Sequence, residues 1–203
     1  RDGRIIAVGR DRDVARLCGP RTLTVDLRGK TMTPGFVDGH SHIGNLVEIW
    51  DLADLAPAPV GTTRSIRDLQ SVMRAYLAAN PGPDDRMVIG RGYDDSLMAE
   101  HRHPGLADLD AISTTRPLCV VHVSGHLARC NSAALRRMGL DASTPDPKGG
   151  RLGRTSDGQL NGALDEQAVG LALRLAPPQD KERALQALDE IEARQRKPRL
   201  AQC

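Results

Sequence analysis

The chain has 203 residues, with 28 Lys and Arg against 26 Asp and Glu, so its formal net charge is +2. A hydrophobic share of 39% and a charged share of 27% suit a packed domain and not a disordered chain. No apolar run approaches the roughly 18 residues of a membrane span, and the N-terminus has no signal-peptide pattern. Aromatic residues are only 2%, too few for a base-stacking surface. The arginines alternate with acids, as in "GRDRDVAR", and do not form the stripe a nucleic acid needs. Composition therefore predicts neither a nucleic-acid nor a membrane partner. The cysteines Cys18, Cys119, Cys130 and Cys203 have no C-x-x-C spacing, so reduced thiols in a cytoplasmic protein are expected.

In chain order, Asp2-Gly3 reads as a turn leading into a short apolar strand, Arg4 to Val8, with no strand before it. That start suggests a truncated N-terminus. Thr22 to Leu27 alternates apolar and polar and predicts a second strand. Residues 1–33 thus read as a partial β module. From Phe36 and Val37 the pattern becomes strand followed by helix. Ser65 to Asn80 is the clearest helix, with Ile66, Leu69, Met73, Tyr76 and Leu77 on one face and Ser65 as N-cap. Met87 to Gly92 and Leu118 to Val123 read as buried strands, and Leu106 to Ile112 as a short helix or turn. Asn131 to Met138 reads as a helix stopped by Gly139. Residues 140–162 are rich in Gly, Pro, Asp and Ser and predict a long loop with room for a short hairpin. Leu164 to Leu175 and Asp180 to Arg196 complete the expected helices, the last with Leu185, Leu188 and Ile191 on one side. It also carries four-apart Glu190/Arg194 and Glu192/Arg196 pairs. Residues 34–196 accordingly form an α/β unit with a parallel sheet, and residues 197–203 an aberrant tail.

The most informative string is "PGFVDGHSH", Pro34 to His42. Histidines two apart on an extended segment point to the same side, the arrangement that places two imidazoles on one divalent metal. Asp38 could orient one of them. A rival set, Cys119, His122, His126 and Cys130, would share a face on a helix. The run from Leu118 to Val123 followed by Ser124-Gly125 instead predicts a strand and a turn, with Cys119 and His122 facing opposite sides. The thiols then read as inert core residues. Gly149 to Gly153 lacks the residues of a phosphate loop and reads as flexible chain. From the residues alone, Glu166 reads as a helix-start carboxylate and His126 as either a structural or a pocket histidine.

"GKTMTPGFVDGHSH" resembles the N-terminal metal motif of the amidohydrolase superfamily. Three further blocks follow in the same order: Gly92-Tyr93-Asp94, "RPLCVVHVSGHLARCNSAAL", and "DPKGGRLGRTSDGQLNGALDEQA". Together they resemble amidohydrolase family 3, the YtcJ-like group that includes N-substituted formamide deformylases, over about residues 1–190. The resemblance implies the first part of a TIM-type metal-dependent hydrolase barrel with a partial β-sandwich module at its N-terminus. It implies hydrolysis of carbon–nitrogen bonds other than peptide bonds by a metal-activated water attacking an amide or formamide-type carbonyl. It further implies His40, His42 and Glu166 as ligands of a divalent metal, zinc first, with Glu166 standing where relatives use a carboxylated lysine. His126, Tyr93 and Asp94 would line the substrate pocket. Relatives also use two later histidines and a late aspartate as base, and this chain offers no catalytic base of its own. The alternative is therefore an inactive fragment that at most binds a metal, and a homo-oligomer is open on either reading.

Overall fold

The computed structural model describes residues 3–35, 39, 40, 42, 44, 47, 49–176 and 181–196, with side chains to residue 193. Two compact units are present, Arg1–Ser41 and His42–Cys203. In the first, the described chain forms only α1 (Asp11–Val14) and a 3-10 turn, Ala15–Leu17. The strands expected at Arg4 to Val8 and Thr22 to Leu27 do not form. Ile5, Val8 and Leu23 are 83%, 89% and 87% exposed. A strand is stable only when its N–H and C=O groups find a partner ladder, and the described residues of this unit supply none. The expected segment at Phe36 and Val37, Asp38, and the tail 197–203 lie outside the described residues.

The second unit is a mixed α/β structure built on one open six-stranded sheet. Its elements are β1 (Ala53–Asp54), α2 (Ile66–Ala79), β2 (Val88–Tyr93), α3 (Leu106–Asp110), β3 (Leu118–His122) and β4 (Leu127–Cys130). They are followed by α4 (Ser132–Met138), β5 (Gly150–Arg154), β6 (Leu160–Glu166), α5 (Val169–Leu173) and α6 (Lys181–Arg196). The sheet order is β1-β2-β3-β4-β6-β5. β1, β2 and β3 are parallel, whereas β4, β6 and β5 continue antiparallel. The wholly parallel expectation is corrected here, because short turns after β3 and β5 allow only antiparallel return. The expected helix from Leu164 is also corrected. Leu164 to Glu166 end strand β6, which pairs with Gly150 to Arg154; the flexible reading of Gly149 to Gly153 gives way to a hairpin, for which the stretch 140–162 left room.

Alternation along β2 and β3 explains why the sheet is covered on both sides. Val88, Leu118 and Val120 pack with Leu69 and Met73 of α2, while Ile89 and Cys119 pack with Ala134, Leu135, Val169 and Ala172 on the other face. Strands buried on both faces need apolar residues at every position, which is why "MVIG" and "LCVV" were legible. The arginine side chains of the expected four-apart pairs on α6 lie outside the described residues. Glu190 accepts from Trp50 Nε1 at 2.7 Å, and Arg183 bridges Glu190 and Asp51. Ala187 and Ile191 are buried, whereas Leu185 is exposed. No helix among the described residues is long and apolar enough to cross a membrane.

Asn131 joins the layers. It is fully buried as N-cap of α4. Its Oδ1 accepts from Leu118 N at 2.9 Å and Ala134 N at 2.8 Å, and its Nδ2 donates to Ser113 O at 2.7 Å and Arg116 O at 2.8 Å. All four hydrogen-bonding positions of the amide are used. Ser132 adds two bonds to the Asp110 carboxylate, tying α4 to the end of α3. Replacing Asn131→Ala strands buried partners on both elements. Chemical denaturation should show a loss of about 2–4 kcal/mol, against a change within about 0.5 kcal/mol for the exposed control Ser143→Ala, scored by midpoint at constant slope.

Candidate functional site

β2 and β3 run parallel, and a shift of register between Arg91 and Tyr93, at Gly92 with φ +85°, sets Tyr93 opposite His122 at their C-terminal ends. Just beyond β2, Asp94 caps a 3-10 turn, Asp95–Leu97. Tyr93 is fully buried, and burial pushes its phenol well above the ordinary value, so it stays protonated. Its Oη lies 3.1 Å from His103 Nδ1. Burial also holds His103 below its ordinary value, favouring the neutral ring. Tyr93, His103 and His122 meet edge-on, with centroids 5.3 to 5.9 Å apart.

Asp95 Oδ1 sits 3.2 Å from His122 Nε2 and 3.4 Å from His103 Nδ1. The other nitrogen of His122, Nδ1, accepts the Ser124 N–H at 3.1 Å and lies 2.9 Å from Ser124 Oγ. That assigns the ring proton to Nε2, facing Asp95. Asp94, held below the usual carboxylate range first by the Ser96 hydroxyl, completes a group. Asp94, Asp95 and His122 bring one ligand atom each within 4.8 Å of one another.

A second pairing forms where the β3–β4 turn meets the end of β6. Gly125 takes the left-handed conformation, with φ +75°, that lets the chain reverse. His126 follows. Its Nδ1 lies 2.9 Å from Glu166 Oε2, and its carbonyl accepts the Glu166 N–H at 2.7 Å. The side chains of both remain largely exposed, at 68% and 59%. Glu166 is not at a helix start, as expected; it ends β6 with φ +54°, a conformation that costs a residue with a Cβ. One residue earlier, Asp165 is buried between Arg129 at 3.3 Å and Arg151 at 2.6 Å. These arginines, with His103, Arg154 and Asn161, line a cleft of about 560 Å³, within the size range of small-molecule sites.

The structure thus brings together Tyr93 with His122, and His126 with Glu166. His40 belongs to the first unit and His42 opens the second, and both are exposed. The rival cysteine–histidine set is not assembled. Cys119 and Cys130 face each other across β3 and β4 in the core, Sγ to Sγ 3.0 Å, while His122 packs beside Tyr93 and His126 sits in the turn. Asp95 and His103 were missed by sequence reasoning. His103 lies in the irregular stretch "HRHPG", which has no periodicity to give its direction.

The family model of amidohydrolase family 3 matches residues 23–197. The chain belongs to the amidohydrolase family. It is 32% identical over 169 residues to the N-substituted formamide deformylase of Arthrobacter pascens, covering 83% of this chain and 30% of that protein. It is 31% identical to the exoenzymes regulatory protein AepA of Pectobacterium carotovorum, covering 82% and 36%. With YtcJ of Bacillus subtilis the identity is 29%, covering 78% and 29%. The chain therefore spans about a third of the length of these relatives. A metal-dependent hydrolase structure from Pyrococcus horikoshii aligns with TM-score 0.49 and 22% identity, over 79% of this chain and 29% of that one.

The left-handed backbone at Glu166 yields a test of whether this residue is kept for the fold. Glu166→Gly removes the conformational penalty along with the exposed pair, so its melting temperature should match or exceed that of the parent. Glu166→Val puts a β-branched residue at the same φ and should lower stability by more than about 1 kcal/mol. Thermal denaturation of both variants decides it.

Proposed function

We propose that this amidohydrolase chain carries the first metal ligands of a TIM-type barrel that hydrolyses carbon–nitrogen bonds other than peptide bonds. What carries the reading is the family match across residues 23–197, which includes His40, His42, His126 and Glu166. The parallel β1-β2-β3 run with helices on both faces suits the opening of such a barrel, and Tyr93, Asp94 and His122 sit at strand C-terminal ends, where barrel sites lie.

On this reading His40, His42 and Glu166 hold a divalent metal, zinc first. The donors fit: two solvent-accessible imidazoles and a solvent-accessible carboxylate are the nitrogen and oxygen types zinc takes. A metal held there would supply a Lewis acid, lowering the pKa of a water and polarising the carbonyl under attack. His126 Nδ1 holds Glu166 Oε2 and so fixes the direction of the carboxylate, whose other oxygen would be free for the metal. Tyr93 keeps its proton and braces His103 at the edge of the cleft, and Asp94 and His126 would contact an amide or formamide-type substrate. Water activation by a base is not assigned to any residue of this chain.

The test is zinc binding by calorimetry together with hydrolysis of an N-substituted formamide by the zinc- or manganese-loaded chain. The account expects zinc affinity to fall at least tenfold in His40→Ala and in Glu166→Gln, and about tenfold in His126→Ala. Turnover lost in His40→Ala supports the full proposal. Zinc binding without turnover assigns the chain to metal binding alone, and zinc binding indifferent to His40 and Glu166 overturns the ligand set.

A further inference from the structure

The cluster at the ends of β2 and β3 has donors, charge and spacing that the ligand set above does not use. Asp94 and Asp95 put two carboxylates beside His122. Among the described residues neither makes an ion pair with Arg or Lys: Asp94 bonds Ser96, and Asp95 faces only His122 and His103. Two partly buried carboxylates flanked by imidazoles leave a charge of about −2 when the rings are neutral, which a divalent cation would balance.

The spacing suits a cation as well as the hydrogen bonds now present. Ligand atoms 2.0–2.1 Å from a tetrahedral zinc lie about 3.3 Å from one another. Asp95 Oδ1 and His122 Nε2 are 3.2 Å apart, and Asp95 Oδ1 and His103 Nδ1 are 3.4 Å apart. The donors come from separate structural positions, the turn after β2 and the end of β3, and Tyr93 and the parallel register hold them in place. Mixed imidazole and carboxylate donors suit zinc, cobalt or manganese over calcium.

We propose that Asp94, Asp95 and His122 form a second divalent-cation site, with His103 at its edge, separate in its residues from His40, His42 and Glu166. Loading replaces the hydrogen bond between His122 Nε2 and Asp95 with two bonds to the cation. The ring proton moves from Nε2 to Nδ1, which gives up the Ser124 N–H and donates instead to Ser124 Oγ, 2.9 Å away. Ser124 then orients the ligand from behind, as outer-shell partners of metal-bound histidines do. The cation would sit beside the cleft lined by His103 and Arg129, placed to meet an electronegative group of a bound molecule.

Cobalt(II) alone is the probe, because its visible absorption reports nitrogen and oxygen ligation without any turnover. The titration uses the full chain carrying His40→Ala and His42→Ala, which removes two ligands of the other set. One equivalent of cobalt should bind to this background. Affinity should fall at least tenfold with Asp95→Asn or His122→Gln, and about tenfold with Ser124→Ala. Asp94→Asn, which leaves the Tyr93–His103–His122 contacts untouched, should weaken binding as well, and circular dichroism confirms that each variant is folded. The proposal is overturned if the background chain binds no cobalt, or if folded Asp94→Asn and Asp95→Asn bind it as the background does. A parent chain whose only cobalt is lost with His40 and His42 would support the family ligand set and reject this second site.

Discussion

Asn131 is the residue on which the geometry of both sites depends. Its amide oxygen takes the first N–H of β3 and an N–H of the first turn of α4, while its amide nitrogen holds two carbonyls of the segment before β3. Strand register is otherwise set by side-chain pattern alone, and a slip by one residue would turn every side chain to the opposite face. With Leu118 fixed, Cys119 meets Cys130 in the core, and the irregularity at Gly92 in β2 brings Tyr93 opposite His122. The turn that follows then presents His126 to the end of β6. A buried amide with all its positions satisfied stabilises the fold, and losing any one partner would leave a polar group stranded in an apolar interior.

From that register follow two imidazole–carboxylate pairs of different character. His122 and Asp95 lie in a partly buried cluster whose ring orientations are set by Tyr93 and His103. His126 and Glu166 stand in solvent, where the attraction between them contributes little to stability. The strained backbone at this exposed pair is the physical feature that motivates the role proposed for Glu166. The Arg129–Asp165–Arg151 triad beneath it serves the fold: it lets a carboxylate be buried in β6 by giving it charged donors on two sides.

How much of this was legible in the sequence varied with the strength of its periodicity. α2 and α4 were readable because their apolar spacing, N-caps Ser65 and Asn131, and stop at Gly139 all agree, and Gly139 does take the left-handed conformation, with φ +70°. β4 and β6 were not. Arg129, Asn161, Gly162 and Asp165 interrupt their apolar residues, and their pairing is held by cross-strand contacts no local pattern reveals. The same holds for the N-terminal unit in reverse, since alternation at Thr22 to Leu27 gives a strand pattern without a partner. At the site, the family blocks pointed to Tyr93, Asp94, His126 and Glu166, but the partners Asp95 and His103 emerged only from the convergence of β2, β3 and the stretch before α3.

The claim that unites these features is that the chain carries two separate sets of metal donors, one from the family motif and one at the ends of β2 and β3. Anomalous diffraction from crystals of the chain grown with zinc, recorded on both sides of the zinc absorption edge, tests it most directly. The account predicts one peak within bonding distance of His40, His42 and Glu166 and a second bounded by Asp94, Asp95 and His122. Zinc held by other residues, with both sets left without a peak at saturating metal, would contradict it.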